Sequence, residues 1–394
     1  MWRKNPMNNW AEARIATDSY NCGLIDEREW AKQVLGEDEY NTYSIDYLKR
    51  GIRIFTLALE NMAIKDCDDS VSDAKEAIIL ERKKLQTVNL QVQEYYRERG
   101  RSELLREQIK EAIQGLEPIS FKHYSYPVNT EDNVGLLVIA DCHYDSNYNI
   151  TGPDGTSICS YDTYTFKSRM NYLTDSMASD GFDYSSLKVV FCGDDLENLI
   201  RASSLKKLRQ PVVKSTIEFA EFVSNWLNEL SELLEVPIEV AFVPGNHTVC
   251  RLLGQKPEFE DENLEYIIHA FVELRLKDNQ NITVAPYNNV YYTQIHNENM
   301  LFAHGEDKDL EKTMQFYENF YGVKLDVCYG AHFHSESSKS VGVGTVGSKR
   351  IIRVPSIVGT DPYALKLGKN NRAGAYFAIF NDDGEWLNKI YWLN

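Results

Sequence analysis

Residues 134–143 read VGLLVIADCH, an apolar run that ends abruptly in a carboxylate, a thiol and an imidazole. Apolar runs of four to eight residues closed by polar or turn residues are the expected form of buried strands. The pattern recurs four times. LKVVFC (187–192) leads into Gly193-Asp194-Asp195-Leu196-Glu197-Asn198, and IEVAFVP (238–244) leads into Gly245-Asn246-His247. NMLFA (299–303) precedes His304-Gly305, and LDVCYGA (325–331) precedes His332-Phe333-His334. Helical segments lie between several of these runs, at roughly 162–179, 208–235 and 260–276. Strand–helix alternation predicts a layered α/β sheet, whose binding crevice lies at the carboxyl ends of the strands. The five polar clusters are therefore expected to converge.

What would converge is a set of metal ligands. Asp141, His143, Asp194, Asn246, His304, His332 and His334 offer carboxylate, amide oxygen and imidazole. This mixture suits Mn²⁺, Fe or Zn²⁺, with Mg²⁺ also allowed, better than an all-oxygen calcium site or a thiolate site. So many donors exceed one tetrahedral ion and suit two. Two ions about 3.5–4 Å apart clamp the attacking and leaving oxygens of a phosphoryl displacement. Mn²⁺ is the expected activator.

The ordered set DxH, GDxx(D/E), GNH, HG and HxH, spread over roughly residues 130–360, resembles the calcineurin-like metallophosphoesterase superfamily. The resemblance implies a two-sheet sandwich flanked by helices and a metal-dependent phosphoric ester hydrolase. It implies that Asp141, His143 and His334 bind a first metal. Asp194 would bridge both metals, and Asn246, His304 and His332 would complete the second site. His247 would be the non-ligand acid at the leaving oxygen, a role imidazole suits near neutral pH. Glu197 would orient that imidazole. The chain departs from the family pattern in having Glu at 197, Thr248 after the GNH triplet, Ala331 before the HxH motif and Glu306 after His304-Gly305. Arg251 could approach substrate phosphate, since a guanidinium fork matches phosphate oxygens; a solvated arginine is the other reading.

A finer resemblance joins the segment Ser356-Ile357-Val358-Gly359-Thr360-Asp361-Pro362-Tyr363-Ala364 and the N-terminal residues Gly23-Leu24-Ile25, Glu27, Trp30, Ala31 and Tyr43 to Arg50. Both are similar to stretches of phage and prophage phosphoesterases described as DNA repair exonuclease-like, of SbcD type. This implies a nuclease acting on DNA, in the cytoplasm of a bacterial host if the chain is phage-encoded. A phosphodiesterase or monoesterase for a small nucleotide or metabolite is the alternative, and a non-catalytic scaffold on the same fold is a second.

Composition bounds these readings. The chain has 394 residues, 43% of them hydrophobic, and a formal net charge of −17. Residues 1–125 hold 19 basic and 22 acidic side chains, which leaves 23 basic and 37 acidic for the remainder. The acidity thus lies in the C-terminal part. That argues against a protein that coats polyanions, which needs net Lys and Arg, but not against an enzyme whose metal ions supply local positive charge. The cysteines, at 22, 67, 142, 159, 192, 250 and 328, form no CxxC pair and are odd in number, as expected in a reducing compartment. Cys142 reads as a small core residue. The opening MWRKNPMNNW lacks an apolar signal region, and no run reaches the ~20 residues of a membrane span. A cytoplasmic protein without membrane association is expected.

Three stretches are expected along the chain: 1–65, 66–120 and 121–394. The first is all-α, with helices from about Asn9 to Tyr20, from Asp26 to Gly36 behind a capping-box-like Asp26/Glu29 pair, and from Thr42–Ser44 onward. Ile45, Leu48, Ile52, Phe55 and Leu59 mark one apolar face of the third, with Lys49, Arg50 and Arg53 off it. The arrangement is compatible with a DNA-binding helix-turn-helix and with a small bundle whose basic residues are solvated. Residues 70–99 carry Ile78, Leu85 and Val92 at seven-residue spacing, with Val88 and Tyr95 between. This fits a homodimerising coiled coil or an intramolecular helical hairpin. At the far end, Ala373–Asn381 and Trp386–Leu393 read as a hairpin around Asp382-Asp383-Gly384.

Overall fold

The computed structural model describes residues 10–36, 43–65, 83, 107–122, 132–197, 208–250, 263–306, 309–366, 368 and 370–393. The proposed dimer segment 70–99, apart from residue 83, and Arg251 lie outside the described residues. The chain divides into two compact units, Met1–Arg101 and Ser102–Asn394.

In the first unit, α1 (Trp10–Asn21), α2 (Glu27–Leu35) and α3 (Ile45–Lys65) pack on one another. Asp26 caps α2 by accepting the Arg28 and Glu29 N–H groups. The Glu29 side chain does not reach back to complete a capping box; it accepts from Gln33 instead. Trp30 fills the centre, edge-on to Phe55, and its Nε1 donates to Thr17 Oγ1 at 3.0 Å. Leu48, Ile52 and Phe55 are buried as their spacing predicts, but Ile45 is 46% exposed because it opens α3 before the helix meets its neighbours.

The second unit opens with the helical residues 107–114, from which Ile109 reaches the core. Its strands and helices follow as β1 (Val134–Ile139), β2 (Tyr148–Thr151), β3 (Ser157–Tyr161), α4 (Thr163–Asp180), β4 (Ser186–Phe191), α5 (Val212–Leu234), β5 (Ile238–Phe242), α6 (Leu264–Arg275) and β6 (Ile282–Val284). Then come β7 (Tyr291–Ile295), β8 (Glu298–Ala303), α7 (Leu310–Tyr321), β9 (Val327–Gly330), β10 (Ser337–Val343), β11 (Ser348–Arg353), α8 (Pro362–Lys366), β12 (Gly374–Asn381) and β13 (Gly384–Trp392). The order β13-β12-β1-β4-β5-β6 makes one sheet and β10-β11-β9-β8-β7 a second. The predicted C-terminal hairpin is β12–β13, and β12 runs antiparallel to β1.

Side-chain alternation along β1 explains the layering. Leu136, Val138 and Ala140 face an inter-sheet core with Phe302, Tyr329 and Phe380. Leu137 and Ile139 face the opposite side, where Phe166 of α4, Phe219 and Trp226 of α5 and Ile268 of α6 cover the sheet. On the outer face of the second sheet, Leu310 and Met314 of α7 pack on Leu301 and Cys328. Strands β1, β4 and β5 are mutually parallel, as are β8 and β9, so each set presents its carboxyl ends together. Among the described residues no helix is long and apolar enough to cross a membrane.

Candidate metal centre

Five strand ends meet. The backbone leaves β1 and β4 as a zipper: Asp141 N donates to Gly193 O, His143 N to Asp194 O and Tyr144 N to Asp195 O. The ligand-type residues sit in an unusual backbone conformation. Asp141, His143, Asp194, His332 and His334 all have positive φ, between 41° and 67°. Such non-glycine residues cost about 1–3 kcal/mol each and cluster at functional sites. Glycines leave room for the rings and loops: a Cβ on Gly193 would lie 2.6 Å from His304 Nδ1, and one on Gly245 would lie 2.1 Å from Asp194 N.

Three groups of metal-type donor atoms overlap. Asp141, His143 and His334 form one; Asp194, His304 and His332 another; and His143, Asp194 and His247 connect them, each group with its atoms within 4.8 Å of one another. His334 Nε2 is 3.4 Å from Asp141 Oδ1 and 3.3 Å from His143 Nε2. His304 Nε2 is 3.0 Å from Asp194 Oδ2, 3.3 Å from Asn246 Oδ1 and 3.2 Å from His332 Nδ1. The outer nitrogens are tied back: His304 Nδ1 lies 2.9 Å from Cys192 O, and His334 Nδ1 lies 3.4 Å from Gly359 O. Such contacts fix the tautomer and leave the inner nitrogen free to bind a metal. Asp141 Oδ1 is buried and, among the described residues, makes no hydrogen bond; the His334 and His143 Nε2 atoms stand 3.4 and 4.0 Å from it, an arrangement that suits a cation between them.

His247 and Glu197 stand beside this constellation. Glu197, 2% exposed, has Oε1 3.6 Å from His247 Nδ1 and Oε2 3.5 Å from His143 Nδ1. The second contact was not foreseen in the motif spacing; the extra methylene of Glu lets one carboxylate serve two rings. His247 N donates to Asp194 Oδ1 at 2.6 Å. Thr248, in the position of the motif's usual acid, is buried and donates to Gly245 O at 3.1 Å. Ala331 is buried in the inter-sheet core, so its methyl group is accommodated. Glu306 points to solvent.

The electrostatics of the metal-free site are sharply divided. Burial opposes charge on Asp194, but His304 and His247 overcome it and hold the carboxyl well below its usual range. Burial likewise opposes charge on Asp141, and His334 overcomes it. Burial would lower His304, yet Asp194 raises it to about 10. His332 is lowered to about 4 by burial and by the neighbouring charge on His304. His247 is raised, because Asp194 and Glu197 outweigh burial.

No family model matches the chain. The chain is similar to an SPbeta prophage-derived uncharacterized protein, YonJ, of Bacillus subtilis (strain 168), with 28% identity over 339 residues, 81% of this chain and 79% of that protein. Among solved structures it is similar to zinc-complexed Vps29 from Entamoeba histolytica, with 13% identity, TM-score 0.30, and 66% of this chain and 99% of that one covered. It is similar to a predicted phosphoesterase from Streptococcus pneumoniae TIGR4, with 12% identity, TM-score 0.27, and 67% and 99% covered. A dimetal phosphatase from Danio rerio shows 9% identity and TM-score 0.34, with 66% and 99% covered.

Two features of the site lie outside the five metal-ligand motifs. Glu265, in the first turn of α6, is fully buried, and its two oxygens accept the N–H groups of Asp195 and Gly245. Burial and the neighbouring Asp194 raise its carboxyl to about 8. The segment 356–360 is strapped to β1 by Ile357 N to Ala140 O and Val358 N to Asp141 O. Arg169 of α4 donates to the Ile357 and Val358 carbonyls at 2.7 and 3.1 Å. Neither residue is signalled by a local pattern: Glu in a first helical turn and Arg in mid-helix are ordinary. Among the described residues, the two histidines outside the motifs serve elsewhere. His269 is buried, with Nε2 2.8 Å from Ala285 O, and His296 pairs with Asp382. Cys142 is buried in the helix-side core.

Proposed function

We propose that the chain is a metal-dependent phosphoric ester hydrolase of the calcineurin-like type that cleaves phosphodiester bonds, as a nuclease acting on DNA. The observation that carries the hydrolase reading is the overlap of three donor groups through His143 and Asp194, with His247 and Glu197 alongside. Asp141, His143 and His334 would hold one divalent ion. Asn246, His304 and His332 would hold a second, with Asp194 shared. The donors fit Mn²⁺ first, and also Fe, Zn²⁺ or Mg²⁺, by the preference of mixed oxygen and imidazole sites. Bound ions would supply Lewis-acid polarisation of the phosphoryl oxygens and a nucleophilic water at neutral pH.

The chain's own groups would handle the leaving oxygen. The Asp194 and Glu197 carboxylates outweigh burial and favour the protonated form of His247. The Glu197 carboxylate holds the Nδ1 side of the ring, so Nε2 is the atom that gives its proton to the departing oxygen. An imidazolium in this place contributes most when charge reaches that oxygen in the transition state.

Three features favour a polymeric substrate in this reading: the three-helix unit α1–α3, which is compatible with a helix-turn-helix, the exposed Lys49 (paired with Glu27), Arg50 and Arg53 on α3, and similarity to a prophage-derived protein. Homodimerisation through residues 70–99 is part of this proposal. The acidity of the C-terminal part favours a second reading, a small nucleotide or metabolite as substrate, since long DNA is repelled outside a local basic path. The test is an assay of the Mn²⁺-loaded full chain on bis-nitrophenyl phosphate, linear duplex, single-stranded DNA, RNA and cyclic dinucleotides. Turnover of DNA is the expected result. Cleavage of small nucleotides alone would favour the second reading, and no turnover at all would favour a scaffold.

A further inference from the structure

The two loops that carry Asp194 and Asn246 have to be held at a set distance, because each would contribute a donor to the same ion. The structure holds them with one side chain. Glu265 Oε1 accepts from Asp195 N at 3.1 Å, and Oε2 accepts from Gly245 N. Asp195 directly follows Asp194, and Gly245 directly precedes Asn246. The carboxylate is itself placed by the start of α6. Asn263 caps the helix by accepting Glu265 N at 3.0 Å, while its Nδ2 donates to Gly245 O at 3.1 Å. Leu264 N donates to Thr248 O at 2.9 Å. The loops leave no slack, as the 2.1 Å clearance at a Gly245 Cβ shows. The group Asp141, His143 and His334 makes none of these contacts with Glu265.

We propose that Glu265 is a positioning residue that sets the spacing of Asp194 and Asn246, and so governs the second metal position, which would take both donors, more than the first, which would share only Asp194. The inference rests on the two-metal reading above. Each oxygen of the Glu265 carboxyl, charged or neutral, offers a lone pair to one arm. Glutamine offers one acceptor and turns an NH₂ group toward the other N–H. Aspartate, one methylene shorter, reaches one loop at a time.

The experiment is a Mn²⁺ titration of the full chain, followed by calorimetry and electron paramagnetic resonance. Wild type should take up two ions, the second giving an exchange-coupled signal. In Glu265→Gln the second step should weaken about 10- to 100-fold, the usual cost of losing an outer-sphere partner, and the first, which would share Asp194 but not Asn246, by clearly less. The coupled signal should appear only at correspondingly higher Mn²⁺. Ile268→Val, on the same helix and buried in the core without any part in the hydrogen bonds above, should keep both steps. Glu265→Asp provides the measurement if the Gln variant does not fold, and should show the same selective loss. Wild-type second-step affinity in a folded Glu265 variant would overturn the inference, as would equal weakening of both steps. Failure of wild type to bind a second Mn²⁺ would instead overturn the two-metal reading, and this inference with it.

Discussion

His247 separates metal binding from chemistry. It neighbours the donor Asn246, but its Nδ1 faces Glu197. His247→Asn should therefore retain metal and fold while losing about 10²–10⁴-fold in phosphodiester turnover, the usual contribution of a general acid. The loss should be smaller for a nitrophenyl ester, whose leaving group needs little protonation. Steady-state rates on both substrates check this, and equal losses would remove the acid role. His304 makes a second prediction. In the metal-free fold Asp194 keeps its ring charged up to about pH 10, against about 6.5 in an unfolded chain. The resulting stabilisation is fully present below about pH 6.5 and is lost as pH rises through about 10. A metal ligand must be neutral, so metal uptake has to expel this proton. Mn²⁺ affinity should rise with pH across that window, with proton release. Calorimetry in two buffers of different ionisation enthalpy measures the release, and its absence at pH ~7 would contradict the His304 assignment.

At the level of elements, the site depends on loops whose backbone is held from behind. Arg169 of α4 grips the carbonyls of Ile357 and Val358, with its guanidinium over the Tyr161 ring. Its removal leaves part-buried acceptors poorly satisfied, at about 1–3 kcal/mol. Arg169→Met, which keeps the apolar stem, should lower the melting temperature of the metal-free protein by several degrees, at about 2–4 °C per kcal/mol for a domain of this size. A melting curve identical to wild type would show that the strap is dispensable. What could be read in advance follows from the same distinction. The strand ends were legible because each joins an apolar run to donors that are nearly contiguous in sequence, as in Asp141-Cys142-His143. Glu265 was not, because its partners Asp195 and Gly245 are 70 and 20 residues away and only the fold brings them near. The β2–β3 hairpin was missed for another reason. β2 alternates, with Tyr148 and Ile150 buried, but over only four residues, and β3 is largely exposed, so no run of buried-strand length stands out. In α3 the 3/4 spacing located the buried face but could not show that Ile45 opens the helix beyond its neighbours.

For the whole molecule the governing quantity is charge. A formal −17, carried mostly by the C-terminal part, means that few side-chain cations are available to replace counterions along a nucleic acid. The nuclease proposal therefore requires recognition through a small number of phosphate contacts at the metal centre and on α3. Binding of duplex DNA should weaken with salt according to a slope of about −0.9 per phosphate neutralised. Two to three such contacts correspond to about a 10- to 40-fold rise in KM between about 50 and 200 mM salt, well short of the ~10³–10⁵-fold of proteins that make 6–10 contacts. kcat should change little, because the donors are buried and exposed charges are screened far more than buried ones. A small diester carries one charge and has no condensed counterions to release, so its KM should move by clearly less than that of DNA over that range. Measuring KM and kcat on both substrates against salt thus distinguishes the two readings of the substrate. A flat KM for DNA would mean that the polymer's phosphates are not engaged beyond the scissile one, and would favour the small-molecule reading.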